Sequence, residues 1–180
     1  KKAIDVLCRA GAMEDLIDDR FTGDKHFWSV ICVDKPRSKK KLEEKIELYR
    51  PEGSFTEEER IEYLTSLTGM FPFKLVITED VNRRLGELYI PPISEFDRDL
   101  GVCWVIPREI TKKKTRNGKP FYVVDVIDTN SVQTRIRCWG VDPKKDSIHR
   151  NRPYMIRPAY SADWGFSTRG PINKTWKLLG

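Results

Sequence analysis

The sequence has little of the residues that hold metals or carry acid–base catalysis. Only two of its 180 residues are histidine, His26 and His149, and the four cysteines form no Cys-x-x-Cys pair. Zinc sites usually take closely spaced Cys and His ligands, so no zinc site is expected. We expect His26, beside Phe27 and Trp28, to pack, and His149 to lie at the surface. We also expect no catalytic residue, no metal and no cofactor in this chain.

Long apolar runs are absent as well. No stretch approaches the roughly 20 apolar residues of a membrane span, and the first residues contain no apolar segment of a signal peptide. Cysteines stand far apart among apolar neighbours, which is typical of buried free thiols in a reducing compartment, although a Cys103–Cys138 contact stays open. We therefore expect a cytoplasmic protein without membrane contact. Because the chain opens inside a helical pattern and without Met, we expect a piece of a longer polypeptide.

Positive charge is present in excess and is unevenly distributed. The chain has 33 Lys and Arg against 27 Asp and Glu. Residues 97–180 hold 17 of the basic and 8 of the acidic residues, whereas residues 1–96 hold 16 and 19. Four of the five tryptophans also lie in the basic part. Such segregation favours a nucleic-acid-binding surface in residues 97–180 over a surface that is merely soluble.

Helical signals dominate residues 1–96. Thr56 and Glu59 form a capping box, and Gly69 marks the end of the helix that follows. Residues 22–35 show no clear period. Pro91 and Pro92 mark the boundary after which the composition becomes strand-rich, so we predict a helical domain over 1–96 and a second domain over 97–180. The predicted helices cover residues 1–17, Ser38–Tyr49, 56–69 and a short segment from Thr78 or Asp80 through Leu85.

Strand signals dominate residues 97–180. Pro107 inside the first strand predicts an edge position or a bulge, and Asp128–Ser131 reads as a hairpin turn. A long first strand followed by a basic loop fits the OB-fold. The fold class predicted is therefore α+β, an N-terminal helical region followed by a five-stranded OB-fold β-barrel. The five predicted strands are Gly101–Ile110, Pro120–Asp128, Val132–Trp139, Pro153–Ala159 and Thr175–Leu179.

The third predicted strand alternates strictly between two kinds of residue. Gln133, Arg135, Arg137 and Trp139 fall on one face, because successive strand side chains point to opposite sides of a sheet. A face that is cationic and aromatic suits a flexible polyanion whose bases can stack, which is single-stranded nucleic acid.

The candidate binding residues are of two kinds. Cations of the predicted loop would meet phosphates, while Arg135 and Arg137 would meet phosphates or stack on bases. Phe121 and Trp139 are the stacking candidates, and the barrel core is the alternative for Phe121 because the register is open by one residue. Trp104, Trp164 and Trp176 are assigned to the core or to barrel closure. The loop cations are Lys112, Lys113, Lys114, Arg116 and Lys119.

Several short motifs stand in the order found in one family. Thr111-Lys112-Lys113, followed by Gly118-Lys119, resembles the OB domain of C-family replicative DNA polymerases, the bacterial DNA polymerase III alpha subunit. Upstream, Leu7-Cys-Arg-Ala-Gly-Ala-Met13 through Arg20 is similar to the end of the family's helix-hairpin-helix region. Glu59 through Leu67-Thr-Gly-Met-Phe-Pro72 resembles the segment before the OB domain, with Phe71 where the family usually has His. That departure and an aromatic-rich tail point to a divergent, phage-like member.

The resemblance implies a non-catalytic C-terminal region that holds single-stranded DNA template near a polymerase active site. The catalytic palm would lie upstream, so Asp97 and Asp99 are interpreted as capping or solvated residues rather than metal ligands. Other replication proteins and the rest of the polymerase chain would be partners, in the cytoplasm of a bacterial or phage-infected cell. Two alternatives stay open: a protein-interaction module that docks a replication partner, and an RNA- or tRNA-binding OB module.

Overall fold

A computed structural model describes residues 2–179, so Lys1 and Gly180, the termini of the two predicted domains, lie outside the described residues. The chain divides into two compact units, one ending at Pro72 and the other beginning at Phe73. The composition change at residues 96 and 97 thus falls inside the second unit. The reason is that the short helices of residues 73–95 pack in the same unit as the strands; Arg84, for example, donates to the carbonyl of Leu179 at 3.1 Å.

The first unit is helical. Thr56 and Glu59 form the predicted capping box, and Gly69 ends that helix in the left-handed conformation. The helix predicted over residues 1–17 is shorter, because Gly11, two residues beyond its end at Arg9, takes a positive φ of 75°. The helices are α1 (Lys2–Arg9), α2 (Asp24–Trp28), α3 (Lys39–Tyr49) and α4 (Glu57–Thr68), with a π-helical segment (Ser29–Asp34) after α2 and 3-10 turns at Glu14–Leu16 and Arg50–Glu52.

The buried polar residues of the first unit include His26 and Asp24. His26 is buried, its Nδ1 accepts the N–H of Thr22 at 3.0 Å, and its Nε2 donates to the carbonyl of Ile46 at 2.8 Å. The prediction that His26 packs is confirmed. Asp24 is also buried and pairs with the guanidinium of Arg60 at 2.9 Å, so its charge is compensated.

The described part of the second unit, residues 73–179, contains helices, a 3-10 turn and seven strands. No described helix of either unit, taken over residues 2–179, is long and apolar enough to cross a membrane. The elements are α5 (Phe73–Val76), α6 (Glu79–Glu87), a 3-10 turn (Ile93–Glu95), β1 (Cys103–Lys114), β2 (Pro120–Ile127), β3 (Gln133–Trp139), β4 (Tyr154–Ile156), β5 (Ala159–Ser161), β6 (Gly165–Arg169), α7 (Ile172–Thr175) and β7 (Trp176–Leu178).

The strands form one curled sheet in the order β5-β6-β3-β2-β1-β4-β7. Strand β1 serves two neighbours, since its first residues pair with β4 and the rest with β2. Strands β3 and β6 are parallel, and every other pair is antiparallel. Only Arg157 and Pro158 separate β4 from β5. The nearly continuous segment 154–161 therefore pairs with two strands. Its first part, β4, pairs with β1, and its second part, β5, pairs with β6.

The strand prediction is correct in type and incomplete in number. The sheet has seven strands among residues 2–179 rather than five, because the predicted fourth strand is interrupted and β6 carries no clear alternation. The lysines at 112–114 lie in β1 and not in a loop, since β1 continues to pair with β2 as far as Lys114 and Pro120. A register shift between Pro107 and Glu109 confirms the predicted bulge.

The core of the second unit packs on the face of the sheet that carries Val124 and Ile136. Trp104 and Trp176 are buried, as predicted, whereas Trp164 is 67% exposed, so its assignment to the core is wrong. Cys103 and Cys138 are buried in the core as free thiols. The cluster contains Ile93, Cys103, Val105, Tyr122, Val124, Val126, Ile136, Cys138, Val141, Tyr154, Ile156, Ile172 and Trp176.

Candidate nucleic-acid interface

The register of the strands arranges the outward face of the sheet into three rows. Residues that lie opposite each other on paired strands share one face, and this face is the reverse of the one that buries Val124 and Ile136. The first row is Lys113–Phe121–Trp139–Arg169, the second is Thr111–Val123–Arg137–Ser167, and the third is Glu109–Asp125–Arg135.

The first row contains a pair of stacked rings between two cations. The ring centroids of Phe121 and Trp139 lie 4.5 Å apart with an angle of 22° between the planes. Both side chains are half-buried, so each leaves ring surface open to solvent, while Lys113 and Arg169 are exposed at the ends of the row. Phe121 thus lies on the outward face, partly covered by Trp139. The pair offers π-surface for stacking, with positive charge on both sides.

The guanidinium of the second row contacts an exposed indole that lies outside the rows. Arg137 donates a hydrogen bond to the carbonyl oxygen of Trp164, and its guanidinium carbon lies 5.8 Å from the centroid of that ring. Trp164 lies in the turn between β5 and β6, where its backbone N–H donates to the Oγ of Ser161 at 3.1 Å. Since this partner of Arg137 is neutral, the positive charge of the guanidinium is not cancelled by the contact.

The third row contains an ion pair. Arg135 donates from Nε to Asp125 Oδ1 at 2.7 Å and from Nη2 to Asp125 Oδ2 at 3.3 Å, which is a two-point contact. The hydrogen-bonded carboxylate of Asp125 raises the pKa of Arg135 above its ordinary value, and the charge of Glu109 adds to the effect. This row therefore has two carboxylates for one guanidinium.

The predicted loop cations divide between two faces. Lys112 and Lys114 point to the side opposite Lys113, because strand side chains alternate, and the Lys112 amine lies 5.8 Å from the centroid of the Tyr122 ring. Arg116 and Lys119 are exposed in the hairpin turn 115–119. The turn is closed by two backbone hydrogen bonds, from the Thr115 N–H to the Lys119 carbonyl at 2.9 Å and from the Gly118 N–H to the Thr115 carbonyl at 3.0 Å.

Of the predicted residues, the structure brings Lys113, Phe121, Arg137 and Trp139 together on the first and second rows and places Arg135 on the third. It adds Arg169 and Trp164, which sequence reasoning did not include. The segment Ser-Ala-Asp-Trp-Gly around Trp164 has the composition of a turn and would have indicated an exposed indole. Arg169 gives no such signal, because its position depends on the parallel pairing of β6 with β3.

Within residues 2–179 no group of three or more His, Cys, Asp and Glu side chains is placed to hold a metal ion. The Asp97 carboxylate accepts the backbone N–H of Asp99 at 2.8 Å, which is a local turn contact. A cavity of about 330 Å³ lies at another edge of the same unit, and its lining includes Phe96, Arg98 and Tyr160 but none of the predicted site residues.

Comparison with known proteins leaves the function to be argued from this geometry. No protein-family model matches the chain, and the searches of curated proteins and of solved structures give no match either.

Proposed function

We propose that the second unit is an OB-fold module that binds single-stranded DNA on the outward face of β1, β2, β3 and β6. The observation that carries the proposal is the first row, in which Phe121 and Trp139 stack between Lys113 and Arg169. Stacking on aromatic rings and neutralisation of phosphates are the two contributions from which sequence-tolerant binding of single strands is built.

The connectivity of the sheet supports the OB-fold. When β4 and β5 count as one interrupted strand and the short β7 beside β4 is set aside, five strands run in the order 1-2-3-5-4 and the fourth returns to pair with β1. Oligonucleotides bind OB-folds on strands 2 and 3 and on the loops between strands 1 and 2 and between strands 4 and 5. In this chain those loops are the hairpin turn with Arg116 and Lys119 and the turn with Trp164.

The resemblance to C-family replicative polymerases gives this binding a biological setting. On that basis the ligand is single-stranded template, held by a non-catalytic C-terminal region of a polymerase III alpha-like chain during DNA replication. The rest of that chain and other replication proteins are the partners in this proposal, in the cytoplasm of a bacterial or phage-infected cell. Helices α1–α4 would then form the end of a helix-hairpin-helix region, with a connecting role.

Fluorescence anisotropy of labelled oligo(dT) with the full chain tests the proposal. Trp139→Ala removes half of the stacked pair, and we expect about tenfold weaker binding, since a stacked base contributes roughly 1–3 kcal/mol. Tyr89→Ala is the matched control, because Tyr89 is an aromatic residue of the same unit that is 84% exposed and lies outside the sheet. Equal loss in both variants, or no binding of the wild type at low salt, would contradict the proposal.

The electrostatic part has its own pair of variants. Lys113→Ala is expected to reduce the slope of log K against log salt by about 0.7, the value for one phosphate contact on a single strand. Lys177→Ala replaces an exposed lysine of β7 and should leave the slope unchanged.

Competition experiments separate the two alternatives from the proposal. Tighter binding of oligo(U) than of oligo(dT) would favour the RNA module, because contacts to the 2′-hydroxyl distinguish RNA from DNA. Absence of oligonucleotide binding would leave the protein-interaction module.

A further inference from the structure

The three rows of the outward face differ in charge. The first row has two cations and the second has Arg137, with no carboxylate in either. The third row has Glu109 and Asp125 against Arg135 alone. The first two rows therefore carry a net positive charge and the third carries a net negative charge, although each row contains at least one basic residue.

Asp125 occupies the position on Arg135 that a phosphate would take. A guanidinium offers parallel N–H groups that match two oxygens of either a carboxylate or a phosphate. Both oxygens of Asp125 accept from Arg135, at 2.7 and 3.3 Å. A phosphate that displaced Asp125 would lie beside that carboxylate and that of Glu109, and like charges at such distances repel.

We propose that Asp125 limits the length of nucleic acid that the face engages, by holding Arg135 in an internal ion pair. A single strand of nucleic acid then lies over the first and second rows and does not extend onto the third. The inference rests on the proposed function and assigns to Asp125 a role in setting the footprint and the salt dependence of binding. In this role Asp125 is an internal competitor of phosphate.

Asp125→Asn tests this inference, because it removes the charge and keeps the size of the side chain. With Arg135 released, the oligo(dT) complex gains one phosphate contact. We expect the slope of log K against log salt to steepen by about 0.7 and the affinity at 0.1 M salt to rise about fivefold. Adding Arg135→Ala in the same chain, Asp125→Asn/Arg135→Ala, should abolish this gain.

The control is Glu87→Gln, which makes the same change of net charge on α6, where the side chain is exposed. Wild-type binding together with unchanged or weaker binding of Asp125→Asn would overturn the inference and leave the proposed function standing. An equal gain in Glu87→Gln would also overturn it, because net charge alone would then explain the effect. Failure of the wild type to bind would overturn the proposed function and this inference with it.

Discussion

Asp128 is completely buried in the second unit, although a carboxylate is costly to remove from water. Its carboxylate oxygens accept three backbone N–H groups, from Ser94 at 2.9 Å, Asn130 at 3.0 Å and Val132 at 3.2 Å. The residue thus closes the β2–β3 turn and ties the 3-10 turn to it. These bonds fix the start of β3, and β3 supplies Arg135, Arg137 and Trp139 to the outward face.

We expect Asp128→Ala to lower the free energy of unfolding by about 3 kcal/mol, because hydrogen bonds to a charged group are lost and buried N–H groups are left without partners. Urea unfolding followed by tryptophan fluorescence measures the change. Glu87→Ala, at an exposed position of α6, is the control and should change the free energy by less than about 0.5 kcal/mol. Equal stability of the two variants would contradict the assigned role of Asp128.

Single residues were predictable where their neighbours in the chain decide their environment. The alternation of β3 correctly placed Arg135 on an exposed face, and the apolar neighbours of Cys138 correctly predicted a buried thiol. The ion pair of Arg135 with Asp125 was not predictable, because it depends on which residue of β2 lies opposite. The stacking of Phe121 on Trp139 depends on the same register.

At the scale of elements, the starts of α3, α4 and α6 were predicted well because the interactions that make them are local. The Thr56 capping box and the caps at Ser38 and Thr78 involve residues only three positions apart. Strand β6 was missed, since its short sequence gains its structure from parallel pairing with β3 and antiparallel pairing with β5. Long-range pairing of this kind leaves no periodic signal in the strand itself.

Replacing one hairpin glycine and one helix glycine with alanine is expected to change the free energy of unfolding in opposite directions. Gly118 has a φ of +72° in the β1–β2 turn, and Gly86 lies in α6 with open space around the position of a Cβ. Gly118→Ala should destabilise the protein by about 1 kcal/mol because alanine resists a positive φ. Gly86→Ala should stabilise it by about 0.5–1 kcal/mol because the unfolded chain loses freedom. Urea unfolding of both variants checks the signs, and destabilisation by Gly86→Ala would contradict the account of α6.

At the scale of the whole molecule, buried thiols link stability to pH in both units. Burial raises the pKa of Cys8 and of Cys103 from 9.0 to about 12 and that of Cys138 to about 11. In the unfolded chain these thiols ionise near pH 9, while in the folded protein they stay protonated. The unfolded state thus binds fewer protons above pH 9, and stability falls as the pH rises toward 11.

Each such thiol removes at most about 1.4 kcal/mol of stability per pH unit, the limit reached where it is fully ionised in the unfolded chain and fully protonated in the folded protein. Because the unfolded thiol is only partly ionised near pH 9 and the folded Cys138 thiol begins to ionise near pH 11, we expect Cys138→Ala to make the fall of unfolding free energy between pH 9 and 11 less steep by about 1 kcal/mol per pH unit. The comparison uses the slope rather than the stability itself, because the truncation also leaves a cavity. Tryptophan fluorescence reports on the second unit, which contains four of the five tryptophans. An unchanged slope would show that Cys138 ionises alike in both states.

The mixed α+β class and the order of helices before strands were predictable from composition. The division at Pro72 and Phe73 was not, because residues 73–95 read as helix yet pack in the unit of the strands. Two parts of the proposed interface, β3 and the cations of the hairpin, could be located from the sequence alone. Its first row became visible only with the pairing of four strands.

The measurement that tests the central claim most directly is an NMR titration of the labelled full chain with oligo(dT). We expect the largest changes in the backbone amides of Lys113, Phe121, Arg137 and Arg169 and in the indole N–H signals of Trp139 and Trp164. The indole signals of Trp104 and Trp176, which are buried, provide the internal reference. Changes confined to residues 2–72, or no change at saturating oligonucleotide, would contradict the assignment of this face as the binding site.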